Sequence, residues 1–380
     1  MKILQINPAS HSVLTDNYKS DIFTSWYARV AYQINKFYPN LKVECWTLEK
    51  KYKKEKSVRN KGIKFRIFPV NFSIRHGMEI SIPIITALRK EIKKKDKIVL
   101  HFHEYHSWVV YFFLLLLKKR SNIKIIAQHH GGRSPFDNLK KYKRLMLFFP
   151  VIFLMQLCEM FLLRKVDVFY ALSIKERDYL KKIAPKSEIK FQTMGISDEY
   201  FVKMNKETSR NELGLKQNEK YALFLGRIKT TKGIKELLNA VKGMDLNLLL
   251  IGEGPDYNKY VNYVKKEKID NAAFLGYVYG EKKLLYLSAC DFLVLPSYTE
   301  GAPVVLMEAM AAGLSPIATN VGGIPLMVQN GKNGLIINPR SSQEIVGAIK
   351  KVLKNPFEDI KKYAEPYRWK KIIQETIKDY

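Results

Sequence analysis

Short, fully apolar runs rich in Ile, Leu, Val and Phe alternate along the chain with longer stretches in which apolar residues recur three and four apart. The first pattern reads as strands buried on both faces and the second as helices with one apolar side, so the alternation predicts parallel βα units and an α/β fold. Strands are predicted over residues 2–6, 41–47, 64–70, 97–102, 123–128, 167–171 and 188–192, with helices in the gaps. The pattern restarts at 221–225, 246–251, 272–275, 292–295, 315–318 and 334–337, which predicts two Rossmann-like domains in series. Between them Gly195-Ile196-Ser197-Asp198-Glu199 and the polar stretch 203–220 break the apolar rhythm, as a hinge does, and place the boundary near residue 205.

Two segments are more apolar than this pattern needs. Residues 145–163 are flanked by Lys140, Lys141, Lys143 and Arg144 on one side and by Arg164 and Lys165 on the other, and are interrupted by Pro150, Gln156 and Glu159. A membrane-spanning helix needs about 20 consecutive apolar residues, and a carboxylate near its middle costs several kcal/mol. The segment is therefore read as a buried helix of the first domain, with a helix lying in a membrane interface as the alternative. Residues 108–117 are too few to span and read as a core helix.

Composition changes this picture little: 380 residues, 47% hydrophobic and 27% charged, suit two packed cores and exclude a disordered, collagenous or polytopic membrane chain. Cys45, Cys158 and Cys290 lack the spacings of a zinc site or a disulfide framework, which points to a reducing compartment. The first residues read as a strand and not as a signal peptide. Charge is the abnormal quantity. The net value is +29, and residues 1–200 hold 38 basic and 17 acidic side chains against 27 and 19 in 201–380. Either the amino half faces an anionic partner, such as a membrane surface, a lipid phosphate or nucleic acid, or lysine is enriched throughout.

Candidate chemistry concentrates in the second half. The stretch from Pro296 to Gly313 spells a strand end, a turn through Glu300-Gly301-Ala302-Pro303 and a helix carrying Glu308. Pro303 suits the first helical turn, where the amides of Gly301, Ala302, Val304 and Val305 have no partner within the helix and the helix dipole favours an anion such as a diphosphate. Glu308 stands about 7.5 Å further along the axis, where a carboxylate accepts bonds from two ribose hydroxyls, and Glu300 reaches hydroxyls beyond the phosphates. A second piece, Gly226-Arg227-Ile228-Lys229-Thr230-Thr231-Lys232-Gly233, follows the first strand of its domain. Arg227 and Lys232 there form a pair suited to a leaving diphosphate. A third, Gly252-Glu253-Gly254-Pro255, is a tight turn after a strand.

This spacing resembles the retaining family-4 glycosyltransferases, also grouped as glycosyl transferases group 1, of GT-B fold. The matching residues are Glu300 and Glu308 (Glu-x7-Glu), Gly226-Arg227-x4-Lys232-Gly233, Gly252-x-Gly254-Pro255, Leu275-Gly276-Tyr277-Val278, Gly322-Gly323-Ile324-Pro325 and Asn330-Gly331-x2-Gly334, in order over most of residues 220–340. The resemblance implies two Rossmann-like, doubly wound domains facing across a cleft: an acceptor domain 1–205, a nucleotide-sugar domain 206–360, and a tail 361–380 returning to the first. It implies that Arg227 and Lys232 bind diphosphate, Glu308 the ribose and Glu300 the transferred sugar, with Gly252 at the same site and Tyr277 and Val278 near the base. In the first domain His103-Glu104 and Gln128-His129-His130-Gly131-Gly132 look like the family's two histidine-bearing strand ends, and His130 aligns with the histidine beside the reacting sugar. Its implied role is to orient or polarise that sugar and to support developing positive charge. The loop Asn7-Pro8-Ala9-Ser10-His11-Ser12 departs from the family's Gly-Gly loop, and Met194-Gly195-Ile196-Ser197 replaces its usual Asn-Gly-Val-Asp.

The expected activity is transfer of a hexose, with retention, from a nucleotide-diphosphate sugar (UDP- or GDP-linked) to an anionic or lipid-linked glycan in cell-surface glycan or protein-glycosylation biosynthesis. Transfer is expected in the interdomain cleft of a cytoplasmic protein, either free or peripheral on the inner leaflet of the cell membrane. No metal is expected, because His101 and His103 alternate across a strand, no carboxylate or cysteine completes a ligand set, and no Asp-x-Asp occurs. A nucleic-acid-binding protein would use the same charge but carry a recognition motif, which is missing. An inactive scaffold would be expected to lose Arg227, Lys232 or Glu308. A GT-B sugar-nucleotide epimerase or an inverting transferase would not normally space Glu300 and Glu308 in this way.

Overall fold

The computed structural model describes residues 1–10, 22–73, 79–118, 121–130, 149–202 and 204–380. Its strands in chain order are β1 Lys2–Ser10, β2 Lys42–Glu49, β3 Lys56–Asn60, β4 Ile63–Pro69, β5 Phe72–Ser73, β6 Glu79–Ile80, β7 Ile98–His103, β8 Ile123–Gln128, β9 Val168–Ala171, β10 Glu188–Phe191, β11 Tyr221–Leu225, β12 Asn247–Ile251, β13 Ala272–Phe274, β14 Phe292–Leu295, β15 Ser315–Thr319 and β16 Leu335–Ile337. The chain divides into two compact units, Met1–Met194 with Ile372–Tyr380, and Gly195–Lys371. The division falls ahead of the expected residue 205, and only the last part of 361–380 joins the first unit. Packing accounts for both differences. Ile196 hydrogen-bonds the backbone of Tyr367 and Trp369, and Ile360 and Ala364 are buried in one cluster with Leu306 and Met310.

In the first unit the sheet runs β10-β9-β8-β7-β1-β2-β4-β3, parallel throughout except for β3. From β1 the order proceeds one way through β2 and β4 and the other way through β7, β8, β9 and β10, so its switch point lies between β1 and β7. Gln5 pairs with His101 in that register, and His103 pairs with Gln128 on β8. Polar side chains therefore gather at the carboxyl ends of the central strands, where open α/β sheets bind ligands. The second unit has six parallel strands in the order β13-β12-β11-β14-β15-β16. Counted within the unit this is 3-2-1-4-5-6, the Rossmann order, and its switch point lies between β11 and β14. The Arg227 loop follows β11 and the Glu300 loop follows β14.

The strands that the apolar pattern missed are β3 and the short pair β5 and β6. Strand β3 is a polar edge strand, Lys56 to Asn60, turned back on β4 through Lys61 and Gly62, both at positive φ. The apolar segment 145–163 begins outside the described residues and appears as the helix Phe149–Leu162. It is not wholly buried, which corrects the leading expectation: Met155 and Glu159 face inward, while Phe153, Leu154, Met160 and Phe161 are exposed. The neighbouring helix Trp108–Leu116 buries Val109, Val110, Tyr111, Phe113 and Leu114 but exposes Leu115 and Leu116. Among the described residues no helix is long and apolar enough to cross a membrane.

Candidate functional site

In the second unit three loops close on one another at the ends of β11, β12 and β14. Gly226 donates its N–H to Ile251, Ile228 to Glu253, and Tyr298 to Thr231. These contacts need bare backbone. A Cβ on Gly252, which sits at φ +140°, would lie 1.9 Å from the carbonyl oxygen of Gly226, and one on Gly322, at φ +59°, would lie 1.9 Å from that of Glu300. The motif glycines thus lock the loops that carry the charged residues.

The helix Val304–Ala312 starts one position later than expected, with Pro303 as its N-cap. Leu306 donates to the Pro303 carbonyl at 3.1 Å, while the amides of Gly301, Ala302, Val304 and Val305 have no acceptor among the described residues. Around this helix start each carboxylate is held by a lysine. The Lys232 Nζ lies 2.6 Å from Glu300 Oε1, which also accepts from Ser297 Oγ at 2.6 Å. The Lys283 Nζ lies 2.7 Å from Glu308 Oε2 and 3.1 Å from the Tyr200 hydroxyl. Lys232 is therefore engaged with Glu300, although an ammonium keeps two further N–H donors. Arg227 is exposed and makes no ion pair among the described residues. Tyr277 and Tyr279 are exposed with ring centroids 5.8 Å apart, and Val278 packs against the core.

The first unit gathers histidines at its own switch point. His101 and His103, two residues apart on β7, lie on the same face and stack with centroids 4.3 Å apart. This corrects the expectation that they alternate across the strand, since side chains at i and i+2 share a side. His103 Nδ1 meets His130 Nε2 at 2.8 Å, His103 Nε2 meets Gln5 Oε1 at 2.5 Å, and His101 Nδ1 meets the Tyr380 hydroxyl at 2.7 Å. Gln5 Nε2 donates to that same hydroxyl at 2.8 Å. The Trp26 ring lies parallel to His130 with centroids 5.5 Å apart. Burial and the neighbouring His129 push His130 down to about 3, burial and His130 do the same to His101, and His103 is held well below the usual histidine range. The cluster is thus neutral at physiological pH, and cannot act as a cation. Glu104, at the strand end, has φ +144°, costing about 1–3 kcal/mol for a residue other than glycine, and faces His129 Nε2 at 3.4 Å. Among the described residues no group of three or more His, Cys, Asp or Glu is arranged to hold a metal ion.

The structure brings Lys232, Gly252, Glu300, Gly301, Ala302, Pro303, Val304 and Glu308 together on the second unit, with Arg227 in the same loop as Lys232; His130 stands in the first unit, and Gly131 and Gly132 lie outside the described residues. Sequence reasoning missed Lys283 and Ser297, partners of the two carboxylates, and also Gln5, Trp26 and Tyr380. Gln5 had a readable signal: a fully buried amide inside the apolar strand Ile3-Leu4-Gln5-Ile6 needs buried partners.

Residues 205–369 match the family described as glycosyl transferases group 1. An uncharacterized glycosyltransferase of Methanocaldococcus jannaschii is 31% identical over 183 residues, covering 47% of this chain and 51% of that protein. The N-acetyl-alpha-D-glucosaminyl L-malate synthase of Bacillus anthracis is 26% identical over 321 residues, 80% of this chain and 72% of its own. The first of these matches thus spans about half of the relative's length. The crystal structure of Anabaena HepE in complex with UDP superposes with a TM-score of 0.72 at 16% identity, covering 100% of this chain and 99% of that one. The fold, two Rossmann-like α/β units with parallel sheets, is that of the GT-B glycosyltransferases.

Proposed function

We propose that this protein is a glycosyltransferase that binds a nucleotide-diphosphate sugar on its second unit and moves the hexose, with retention, to an anionic or lipid-linked glycan acceptor. One observation carries the reading. Two carboxylates eight positions apart, Glu300 and Glu308, are each held by a lysine around a helix start whose amides lack acceptors among the described residues, at the switch point of a Rossmann sheet. The family match over this unit and the likeness to HepE, whose structure holds UDP, support a nucleotide donor, with uridine the first base to try and guanosine the next.

In this reading the free amides and the helix dipole take the diphosphate, Arg227 and the two spare N–H donors of Lys232 neutralise it, and the leaving phosphate departs toward positive charge. Lys283 fixes one oxygen of Glu308 and leaves the other to accept from the ribose. Glu300, anchored by Ser297 and Lys232, is oriented toward the sugar. The neutral His130 supports positive charge growing on the sugar ring in a way that an imidazolium could not. Expected location is the cytoplasmic side of a membrane, in cell-surface glycan or protein-glycosylation biosynthesis.

The test is thermal unfolding with UDP-, GDP-, ADP- and CMP-sugars. At a hundred times Kd the correct donor adds about 2.7 kcal/mol. A rise with one nucleotide class that is lost in Glu308→Ala supports the reading, and no rise with any of them sinks it. Retention is read from the anomeric signal of the product by proton NMR.

A further inference from the structure

The contacts around His130 form a chain whose polarity can be followed atom by atom. An imidazole and a hydroxyl can each donate or accept at a given position, but the two ends of an amide differ: the oxygen only accepts and the nitrogen only donates. Gln5 is therefore the member that sets direction. Its Nε2 gives a hydrogen to the Tyr380 hydroxyl at 2.8 Å, and that hydroxyl also meets His101 Nδ1 at 2.7 Å. Its Oε1 faces His103 Nε2 at 2.5 Å, so that nitrogen carries the hydrogen. A neutral His103 then has a bare Nδ1, which accepts from His130 Nε2 at 2.8 Å. His130 in turn carries its hydrogen on Nε2, and its Nδ1, with no partner among the described residues, is a lone pair.

We propose that Gln5, His103 and Tyr380 are positioning residues that hold His130 as the neutral Nε2–H tautomer, so that Nδ1 accepts a hydrogen bond from a hydroxyl of the bound sugar. The sugar contact rests on the function proposed above; the tautomer does not. Gln5, His103 and Tyr380 are almost fully buried, so water does not compete for the chain, and the Trp26 ring alongside His130 restrains its plane. A chain of opposite polarity would turn Nδ1 into a donor and present the sugar with the wrong partner.

The full chain labelled with 15N-histidine, studied by two-bond proton–nitrogen correlation at neutral pH, reads the tautomer directly, with the His130 signal identified by its loss in His130→Gln. The expected wild-type result is a protonated Nε2 and a bare Nδ1, and Gln5→Leu should turn this into a mixture of both tautomers. A wild-type His130 protonated on Nδ1, or one that Gln5→Leu leaves unchanged, overturns the proposal. Should Gln5→Leu not fold, Tyr380→Phe leaves the amide nitrogen without its acceptor and should populate the second tautomer; a single unchanged tautomer in that variant counts equally against the chain. With a donor in hand, the folded variant that shifts the tautomer should lower kcat about tenfold while donor KM stays within about twofold. A shifted tautomer with unchanged kcat overturns the sugar contact. A correct tautomer in a wild-type protein that turns over no nucleotide sugar removes the transfer reading and leaves the chain standing.

Discussion

The Lys283–Glu308 pair is the residue-scale feature with the sharpest consequence. Both side chains are largely withdrawn from water, with 15% and 9% of their surface exposed, so removing the lysine leaves a desolvated carboxylate with a lost partner. Lys283→Ala should lower stability by about 1–3 kcal/mol, and urea unfolding measures it. If Lys283 orients Glu308 toward a ribose, the same variant also weakens donor binding about tenfold, by calorimetric titration, while kcat changes less. A loss of stability with unaltered donor affinity would make the lysine merely structural. Gly252→Ala tests the loop lock separately. The added Cβ would fall 1.9 Å from a carbonyl oxygen at a φ that suits glycine, so the β11 and β12 loops must separate. The expected cost is about 3 kcal/mol or more in urea unfolding; a change below 1 kcal/mol would mean that the loops are not locked by this contact.

At the scale of elements, two histidine groups of the first unit carry opposite pH signs. His101 and His130 have folded values near 3 against about 6.5 unfolded, so the unfolded chain binds more protons between those limits. Stability contributed by their neutrality is present above about pH 6.5 and declines as pH falls, with a slope of about 1.4 kcal/mol per pH unit for each histidine that remains unprotonated. His106 behaves in the reverse sense. Burial opposes its charge, but Glu159, 2.5 Å from its Nδ1 and also bonded by Tyr111 and Tyr179, outweighs burial and raises the value. Its contribution is full below the unfolded value and is lost as pH rises through the raised folded one. Urea unfolding from pH 5 to 8 should therefore show a steeper acid limb in wild type than in His130→Gln and a steeper alkaline limb in wild type than in Glu159→Gln. Parallel curves would mean that neither group is linked to folding. Strands were the legible part of these elements, because parallel strands buried on both faces leave short apolar runs, and each predicted run holds a strand. The polar edge strand β3 leaves no such run. Glu159 could be seen to interrupt an apolar helix, but its partners Tyr111 and His106 lie 48 and 53 residues away, and no local pattern encodes that pairing. Lys283, 25 residues from Glu308, is hidden for the same reason. Glu300 and Glu308, spaced along one turn and helix, were visible because their geometry is local.

For the molecule as a whole, charge and exposed apolar surface point the same way. The excess of 38 basic over 17 acidic residues lies in the first 200 positions, and the same part of the chain exposes Leu115, Leu116, Met160 and Phe161 on two neighbouring helices with Lys118 and Arg164 close in sequence. Apolar side chains exposed beside positive charge are the composition of a surface that settles into the headgroup region of an anionic bilayer. Each basic residue near such a surface contributes about 1 kcal/mol, and this part falls with salt, whereas the apolar part does not. Cosedimentation with vesicles should thus show binding to phosphatidylglycerol-containing membranes that weakens but persists as salt rises to physiological strength, and little binding to phosphatidylcholine alone. The double variant Leu116→Glu with Phe161→Glu removes apolar burial and adds like charge to the lipid; its partitioning should fall by about tenfold to a hundredfold, with any thermal shift that a nucleotide sugar gives the wild type unchanged. Equal binding to neutral and anionic vesicles would separate the positive charge from any membrane role, and undiminished binding by the double variant would place the contact on another face.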